Sequence, residues 1–212
     1  MGEENFSARN GSDASRRFFS GAYDIIALAA SAGGLRALSE VLAGLPREFP
    51  AATVVVQHLD RRHRSLMAEI LSRRTSLAVK EAVEGDRLAS GSVYIAPSDR
   101  HLLVNSDATL SLTHSELVHF VRPSADLLFE SVAASFKDRA IAVVLSGTGS
   151  DGSMGVKAIK KMGGTVIIQD EKTSEFYGMP GAALQTGSVD FVLPLDEIPS
   201  ALVTLVVKGD VG

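Results

Sequence analysis

Short apolar runs alternate with longer amphipathic stretches from Asp24 onward. Five runs are continuous and mostly β-branched: Ile25–Ala30, Thr53–Val56, Ile141–Leu145, Thr165–Ile168 and Phe191–Leu193. Continuous runs of this length are typical of parallel strands that are covered on both faces. Between them, apolar residues recur at helical spacing in three groups: Leu35, Leu38, Leu42 and Leu45; Leu66, Met67, Ile70 and Leu71; and Ile198, Leu202, Leu205 and Val206. The alternation predicts βαβ units around a parallel sheet.

One segment departs from this pattern. It contains three short runs separated by turn residues: Val93–Ala96, Leu102–Val104 and Thr109–Thr113. Leu110 and Leu112 alternate with polar neighbours, as in an antiparallel strand with one face in water. We therefore expect an α/β fold, with a doubly wound, mainly parallel sheet and a small antiparallel insertion around residues 85–115.

The first residues differ in composition from the rest. Residues 1–22 are rich in Ser, Gly, Asn, Asp and Arg and show neither helical nor strand periodicity. We predict a flexible N-terminal tail over 1–22, although Phe18 and Phe19 offer an apolar contact that would dock it. Residues 23–208 are expected to form a single folded domain.

Charge and cysteine content exclude several classes of function. The 212 residues carry a net charge of −4, which argues against nucleic-acid binding. The absence of cysteine rules out disulfides, a cysteine nucleophile and thiolate metal sites, and it fits a reducing compartment. No apolar stretch reaches the roughly 18 residues of a membrane helix, and no signal peptide is recognisable. We expect a cytoplasmic protein that does not insert into a membrane.

The loop after the first run is a candidate site, because ligands of open parallel sheets bind beyond the carboxyl ends of the strands. Its small residues, Ala29–Gly34, allow backbone N–H groups to approach a ligand at the start of the next helix. Ser31 is open to three interpretations: a helix cap, part of a phosphate-binding loop, or a nucleophile. The loop lacks the glycine fingerprint and the lysine of nucleotide-binding loops, which weighs against a nucleotide-binding module.

Two further strand ends carry titratable residues. His58 follows Thr53–Val56, where a neutral imidazole accepts a proton near pH 7, although a structural histidine would stand there equally well. Asp151 lies in the glycine-rich loop Leu145–Gly152, where an ordinary helix cap is the alternative. Together, Ser31, His58 and Asp151 suggest a nucleophilic triad with backbone N–H groups as an oxyanion hole. The remaining histidines are weaker candidates: His63, His101, His114 and His119.

Seven short motifs then occur in one order along the chain: Ala30–Gly34, Gln57–His58, Tyr94–Pro97, Arg122–Ser124, Leu145–Gly152, Gln169–Asp170 and Tyr177–Pro180. This series resembles the catalytic domain of the chemotaxis receptor methylesterases, the CheB family. The resemblance implies hydrolysis of glutamate methyl esters on chemoreceptor signalling helices with release of methanol, and in some members deamidation of receptor glutamines. It places the catalytic serine, histidine and aspartate on Ser31, His58 and Asp151, and it implies neither a metal nor an organic cofactor.

The resemblance also suggests secondary roles. Ala32 and Thr148 are candidates for the oxyanion hole, and each differs from the residue that many relatives carry. Arg122 and Met179 are candidates for substrate binding, although Arg122 would also suit the start of a helix and Met179 a turn. The basic run Arg61–Arg64 is either a solvated face or a surface that attracts an acidic substrate.

Methylated cytoplasmic domains of chemoreceptors are the partners that the resemblance implies. Many family members carry an N-terminal receiver domain, whereas only 23 residues precede Asp24. A chain without that domain would depend on a separate regulatory partner. The rival interpretation is an adaptor with the same fold that binds receptor or signalling partners with little catalysis.

Deletion of residues 1–20 tests the expected independence from the tail. We expect kcat/KM for a methylated receptor domain to change by less than about fivefold, equivalent to about 1 kcal/mol in the barrier. Small phosphodonors should have no effect on either form. A tenfold rise on deletion would instead show that the tail covers the cleft.

Overall fold

The computed structural model describes residues 22–58, 66–118 and 120–208. The strands in these parts of the chain are β1 Ile25–Ala30, β2 Ala52–Gln57, β3 Ala78–Glu81, β4 Ser92–Ile95, β5 His101–Val104, β6 Leu110–Thr113, β7 Ala140–Val144, β8 Thr165–Gln169 and β9 Phe191–Leu193. The α-helices are α1 Gly34–Ala43, α2 Met67–Ser72, α3 Ala125–Phe136, α4 Ser153–Lys161, α5 Gly178–Gln185 and α6 Ile198–Lys208.

Seven strands form one parallel sheet in the order β3-β4-β2-β1-β7-β8-β9. The central strand β1 pairs with β2 on one side and with β7 on the other, so that Ile25 lies beside both Ala52 and Ala140. All six residues of β1 and of β2 are buried, as their continuous apolar runs predict. The predicted parallel α/β sheet is confirmed.

Helices cover both faces of the sheet. In β1, Ile25, Ala27 and Ala29 point toward the face that carries α3, α4 and α5. The alternate residues Ile26, Leu28 and Ala30 point toward the face that carries α1, α2 and α6. Because successive strand side chains point to opposite faces, a strand between two helix layers must be apolar at every position. The fold is doubly wound, as the sequence predicts.

Two of the three short runs form the antiparallel insertion. Val93–Ala96 is not part of it, because β4 pairs in parallel with β2 and belongs to the main sheet. The antiparallel part consists of the β5–β6 hairpin, in which His101 pairs with Thr113, and of an antiparallel bridge between Arg87 and Thr109. The small antiparallel insertion predicted around residues 85–115 is thus confirmed. The edge strand β3, Ala78–Glu81, was missed, because its mostly exposed residues form no apolar run.

The connections leave β1 and β7 in opposite directions. The chain passes from β1 through α1 to β2 on one side, and from β7 through α4 to β8 on the other. Such a reversal between neighbouring parallel strands opens a crevice at their carboxyl ends, where ligands of doubly wound sheets bind. The loops after β1 and β7, which contain Ser31 and Asp151, border this crevice.

Near the start of each of the helices α3 and α4, an acidic side chain binds backbone N–H groups at the start of the other helix. Asp126 accepts the backbone N–H groups of Met154 and Gly155 at 2.9 and 2.7 Å. Asp151 accepts those of Ala125 and Asp126 at 2.6 and 3.1 Å. Each carboxylate therefore binds the positive end of the other helix dipole, and the two helices are held together at their starts.

The described chain begins and ends at the amino edge of the sheet. The N–H of Ala22 donates to the carbonyl of Val206, near the end of α6. The predicted tail lies outside the described residues, apart from Ala22, and stays a prediction. No helix in the described parts combines the length and the apolar character that a membrane crossing requires.

Gly155 tests the close packing of α3 against α4. A Cβ at this position would lie 2.5 Å from the Phe129 Cβ, so Gly155→Ala should lower the free energy of unfolding by about 2 kcal/mol. This loss opposes the higher helix propensity of alanine, and urea denaturation measures the net effect. The exposed Lys157→Ala in the same helix is the control, with an expected change within about 0.5 kcal/mol. Equal stability of the two variants would contradict the packing argument.

Candidate active site

Ser31 lies between the carboxyl ends of β2 and β7. The N–H of His58 donates to the carbonyl of Ala30 at 3.1 Å, which extends the β1–β2 ladder by one step. The N–H of Ser31 donates to the carbonyl of Ser146 at 3.0 Å, at the end of β7. Neighbouring strands are about 4.8 Å apart, so the backbones of Ser31 and His58 stand side by side.

His58 and Asp151 are in direct contact. The distance between His58 Nε2 and Asp151 Oδ2 is 2.8 Å, and the two side chains are only 12% and 4% exposed. A carboxylate accepts hydrogen bonds, so the ring proton of a neutral His58 is fixed on Nε2. The other ring nitrogen, Nδ1, is then the basic atom that remains for a second partner.

Asp151 receives hydrogen bonds from the start of α3 as well as from His58. Besides the Ala125 and Asp126 N–H groups, the Ser124 hydroxyl donates to Oδ1 at 2.9 Å. Burial alone would raise the pKa of the Asp151 carboxyl, but the hydrogen bonds from His58 and the α3 backbone outweigh it and lower the pKa below its ordinary value. Asp151 is therefore held as a charged carboxylate.

The helix-cap interpretations of Ser31 and Asp151 are both wrong for the helices that follow them. The residues at the starts of α1 and α4 are Gly33 and Gly152, with φ of 74° and 99°, and neither helix start receives a side-chain cap from them. Asp151 instead binds the start of α3, which lies 26 residues earlier in the chain. A left-handed φ favours glycine at the two caps.

A second histidine stands behind this network. His101 is fully buried; its Nδ1 accepts the N–H of Ser124 at 3.1 Å and its Nε2 contacts the Glu116 carbonyl at 3.0 Å. These partners fix a neutral ring with its proton on Nε2. Burial lowers the pKa of His101, which agrees with the neutral form. His101 thus orients Ser124, whose hydroxyl reaches Asp151.

Ala32 follows Ser31 in a turn that a second serine holds in place. The Ser146 hydroxyl donates to the carbonyl of Ala32 at 2.8 Å and accepts the N–H of Phe176 at 3.0 Å. Ser146 itself is anchored, because its N–H donates to the side chain of Gln169 at 2.9 Å. The loops after β1, β7 and β8 are therefore tied together at the floor of the crevice.

Thr148 and Met179 border the same region. Thr148 is exposed, whereas Met179 is buried and its N–H donates to the Gly147 carbonyl at 2.9 Å. A Cβ at Gly147 would lie 2.9 Å from the Ser31 Cβ and 2.4 Å from the Met179 sulfur. Met179 thus packs against the loop beside Ser31. The predicted oxyanion and substrate roles of Ala32, Thr148 and Met179 stay predictions.

The Arg122 guanidinium forms hydrogen bonds with residues of the antiparallel insertion. It donates to Asp99 Oδ1 at 2.7 and 3.0 Å and to the Ser115 carbonyl at 2.5 Å, and its side chain is 10% exposed. It also contacts His114 Nε2 at 3.0 Å. These contacts brace the segment that carries Glu116, the partner of His101. A role of Arg122 in substrate binding stays a prediction.

The loop Gly147–Gly152 has the spacing G-x-G-x-x-G, a match to dinucleotide-binding loops that the sequence reasoning overlooked. In those loops the pyrophosphate binds free N–H groups in the first turn of the helix. Here the Met154 and Gly155 N–H groups already donate to Asp126. The structure therefore disfavours nucleotide binding at this helix start.

A groove of about 740 Å³ runs from Ser31 along α1 toward α2. Its lining includes the apolar side chains Leu35 and Ile70 and the charged side chains Arg36, Arg74 and Glu175. This volume accommodates more than a single side chain. Within the described residues, no cluster of three or more His, Asp or Glu side chains could hold a metal ion.

The sequence pointed to His58 and Asp151 but not to the residues that hold them and Ser31 in place. Ser124, Ser146 and Gln57 all lie inside the seven motifs, and none was given a role. For Gln57 and Ser146 the signal was a polar residue at the end of an otherwise apolar run, and for Ser124 it was a serine directly before a helical pattern. The basic run Arg61–Arg64, which includes His63, and the separate His119 lie outside the described residues.

A histidine–aspartate pair beside a serine, at the carboxyl edge of a doubly wound parallel sheet, is an arrangement that serine hydrolases of the α/β class use. Comparison with known families agrees with this class. The family model described as CheB methylesterase matches residues 26–202. The chain belongs to the CheB methylesterase family, as the motif series suggested.

Individual relatives agree with this assignment. A chain of Leptospira interrogans, named for both methylesterase and glutaminase activity, is 40% identical over 86% of this chain and 95% of its own length. The protein-glutamate methylesterase FrzG of Myxococcus xanthus is 43% identical over 85% of this chain but only 54% of its own length. The crystal structure of the Thermotoga maritima CheB methylesterase catalytic domain matches with a TM-score of 0.83 and 38% identity, over 86% of this chain and 98% of that one.

Asp151→Asn tests the importance of the buried carboxylate for stability. We expect the free energy of unfolding at pH 7 to fall by about 2–3 kcal/mol, because charge-assisted hydrogen bonds to His58 and α3 are lost. Since the folded pKa of Asp151 is lowered, its stabilisation is present above about pH 4 and is lost as the pH falls through the folded pKa. The difference between wild type and variant should therefore narrow below pH 4.

Urea denaturation at pH 7 and at two pH values below 4 measures this difference. Asp196→Asn makes the same change at an exposed position and should cost less than about 0.5 kcal/mol. A gap that stays constant with pH would show that the charge of Asp151 does not stabilise the fold.

Proposed function

We propose that this protein is a protein-glutamate methylesterase that hydrolyses glutamate methyl esters on chemoreceptor signalling helices. The observation that carries the proposal is the 2.8 Å contact between His58 and Asp151 beside the backbone of Ser31. The family membership and the names of the relatives support the substrate class. In this proposal Ser31 is the nucleophile, His58 the general base and Asp151 the residue that orients the imidazole.

The first half of the reaction forms an acyl-enzyme. His58 Nδ1 takes the proton of the Ser31 hydroxyl while Ser31 Oγ attacks the ester carbonyl carbon of the substrate. Asp151 keeps the other ring proton on Nε2 and stabilises the imidazolium that forms. The tetrahedral intermediate then breaks its bond to the methoxy oxygen, which takes the proton from His58 and leaves as methanol.

Water completes the reaction. His58 removes a proton from a water molecule, which attacks the acyl carbon, and the Ser31 Oγ leaves with the proton that His58 returns. The products are the free glutamate side chain and the regenerated serine. An oxyanion develops in each of the two half-reactions. The backbone N–H of Ala32 at the start of α1, together with an N–H of the Thr148 loop, would stabilise it.

Deamidation of glutamine fits the same site. The attack of Ser31 on a side-chain amide gives the same acyl-enzyme, with ammonia in place of methanol as the leaving group. The paired methylesterase and glutaminase names of several relatives favour this second activity.

The groove beside Ser31 supports a protein substrate. Its volume of about 740 Å³ and its mixture of apolar and charged side chains suit one face of a receptor helix rather than an isolated amino acid. Methylated cytoplasmic domains of chemoreceptors are thus the proposed partners, and we expect the protein to act in the cytoplasm. A pure adaptor would not need Ser31, His58 and Asp151 together at the carboxyl edge of the sheet.

Ser31→Ala and His58→Ala test the proposed chemistry. Each variant should lose about 10⁴-fold or more in kcat for methanol release from a methylated receptor domain, because no acyl-enzyme forms. The double variant should lose little more than either single one, since the members of a triad act as a unit.

The matched control is Ser200→Ala on the exposed face of α6, which should retain wild-type turnover and thereby exclude a general effect of removing a serine. More than a tenth of wild-type activity in Ser31→Ala would remove this residue from the nucleophile role. A wild-type protein that binds the receptor domain but releases no methanol would favour the adaptor.

A further inference from the structure

Gln57 contacts the backbones of both Ser31 and His58. It is the last residue of β2 and is 5% exposed. Its side-chain Nε2 donates to the Ser31 carbonyl at 2.7 Å and to the His58 carbonyl at 3.1 Å. One amide group thus bridges the two residues that the proposed function places in proton transfer.

Chemistry fixes the orientation of this amide. An NH₂ group has two hydrogens, one for each carbonyl oxygen, whereas a flipped amide would set its own oxygen against both of them. The Oε1 atom, on the opposite side, is buried and has no hydrogen-bond partner in the described part of the chain. A buried acceptor without a partner costs about 1–3 kcal/mol. An apolar side chain of similar volume would avoid this cost, so stability alone does not account for Gln57.

The neighbouring helix start is shaped to admit the amide. A Cβ at Gly34 would lie 2.1 Å from the Gln57 Oε1 and 2.7 Å from the Ala30 Cβ. Gly34 has no left-handed φ, so the close approach of Gln57 and Ala30 accounts for glycine here. The same Gly34 N–H donates to the Ser31 carbonyl at 2.9 Å, which gives that oxygen two donors.

Two donors on the Ser31 carbonyl fix the plane of the peptide between Ser31 and Ala32. In a trans peptide the N–H points opposite to the C=O, so a carbonyl held by Gln57 and Gly34 directs the Ala32 N–H the other way. The Ala32 N–H donates to no residue in the described ranges. Ser146 holds the next carbonyl, that of Ala32, at 2.8 Å.

We propose that Gln57 is a positioning residue that ties Ser31 to His58 and aims the Ala32 N–H at the oxyanion of the reaction. Gln57 lines the groove with only 5% of its surface exposed, and we assign its effect on the reaction to the peptide that its Nε2 holds. This inference rests on the proposed function, because it assigns Ser31 as the nucleophile. A donor that is already aimed needs no reorganisation when charge develops, which is the basis of oxyanion stabilisation.

Phosphonylation of Ser31 separates this inference from the proposed substrate. In this reaction the Ser31 Oγ attacks the phosphorus of a fluorophosphonate probe and fluoride leaves, while the proton of the hydroxyl passes to His58. The same N–H groups stabilise the negative charge that builds on the phosphoryl oxygen in the transition state. The second-order rate of this reaction therefore reports the geometry of the site without a receptor substrate. A wild type that is labelled at Ser31 but releases no methanol from a methylated receptor domain would refute the proposed function, and the labelling rates would still decide the role of Gln57.

Two substitutions perturb the amide in different ways. Gln57→Met keeps the approximate volume and removes both donors, so we expect a 10- to 100-fold loss in labelling rate and in kcat for methanol release. KM should stay within threefold, and the melting temperature should change little, because removal of the unpartnered Oε1 offsets the loss of the hydrogen bonds to the Ser31 and His58 carbonyls. Thr53→Val is the matched control on the same strand, since the buried Thr53 hydroxyl also has no partner in the described residues and lies at the opposite end of β2.

Gln57→Glu tests the donor itself. Burial and two facing carbonyl oxygens raise the pKa of the introduced carboxyl, and only its protonated form donates a hydrogen bond. The rate relative to wild type should therefore rise as the pH falls from 8 to 6, which a space-filling role of Gln57 would not produce. This variant also decides the question if Gln57→Met does not fold.

Labelling and turnover of folded Gln57→Met within threefold of wild type would overturn the inference. So would a relative rate of Gln57→Glu that is independent of pH, or a Thr53→Val loss as large as that of Gln57→Met. Failure of the probe to label wild-type Ser31 would refute both the inference and the nucleophile on which it rests.

Discussion

The carboxylate of Asp151 is the group on which both the fold and the site depend. It accepts hydrogen bonds from His58, from the Ser124 hydroxyl and from two N–H groups at the start of α3. A buried charge is tolerable only when donors surround it, and here a helix end supplies most of them. The same contacts that stabilise the charge fix the imidazole and anchor α3 against α4. Stability and chemistry therefore cannot be separated at this residue.

The rest of the site follows from strand geometry. Ser31, His58 and Ser146 come one or two residues after β1, β2 and β7, which are neighbours in the sheet. Ladder hydrogen bonds continue past the ends of these strands, so the spacing of the three residues is that of the sheet itself. Hydrogen bonds from neighbouring side chains then fix these positions. Gln57 and Ser146 bind the carbonyls of Ser31 and Ala32, and His101 accepts the N–H of Ser124. A rigid sheet thus defines positions that loops alone would leave variable.

The sequence predicted the sheet, its two helix layers and the strand ends that carry Ser31, His58 and Asp151. Continuous apolar runs report burial on both faces, and burial follows directly from this architecture. β3 could not be found in this way, because an edge strand with exposed residues has no apolar run. The hydrogen bonds between Asp151 and the start of α3 could not be predicted from the sequence either. Local patterns pointed to a cap of α4, whereas the contact with α3 joins residues 26 positions apart and exists only once both helices pack.

Both ends of the described fold lie at the amino edge of the sheet, and this limits how a fused regulator could cover the crevice beside Ser31. Ala22 is bonded to Val206, so the polypeptide enters and leaves the described fold at neighbouring points. Ser31 lies at the opposite edge, separated by the six residues of β1, or about 20 Å. A regulator attached at either point would need a linker that spans this depth before it could cover the crevice. A short tether would leave the crevice open to a receptor helix.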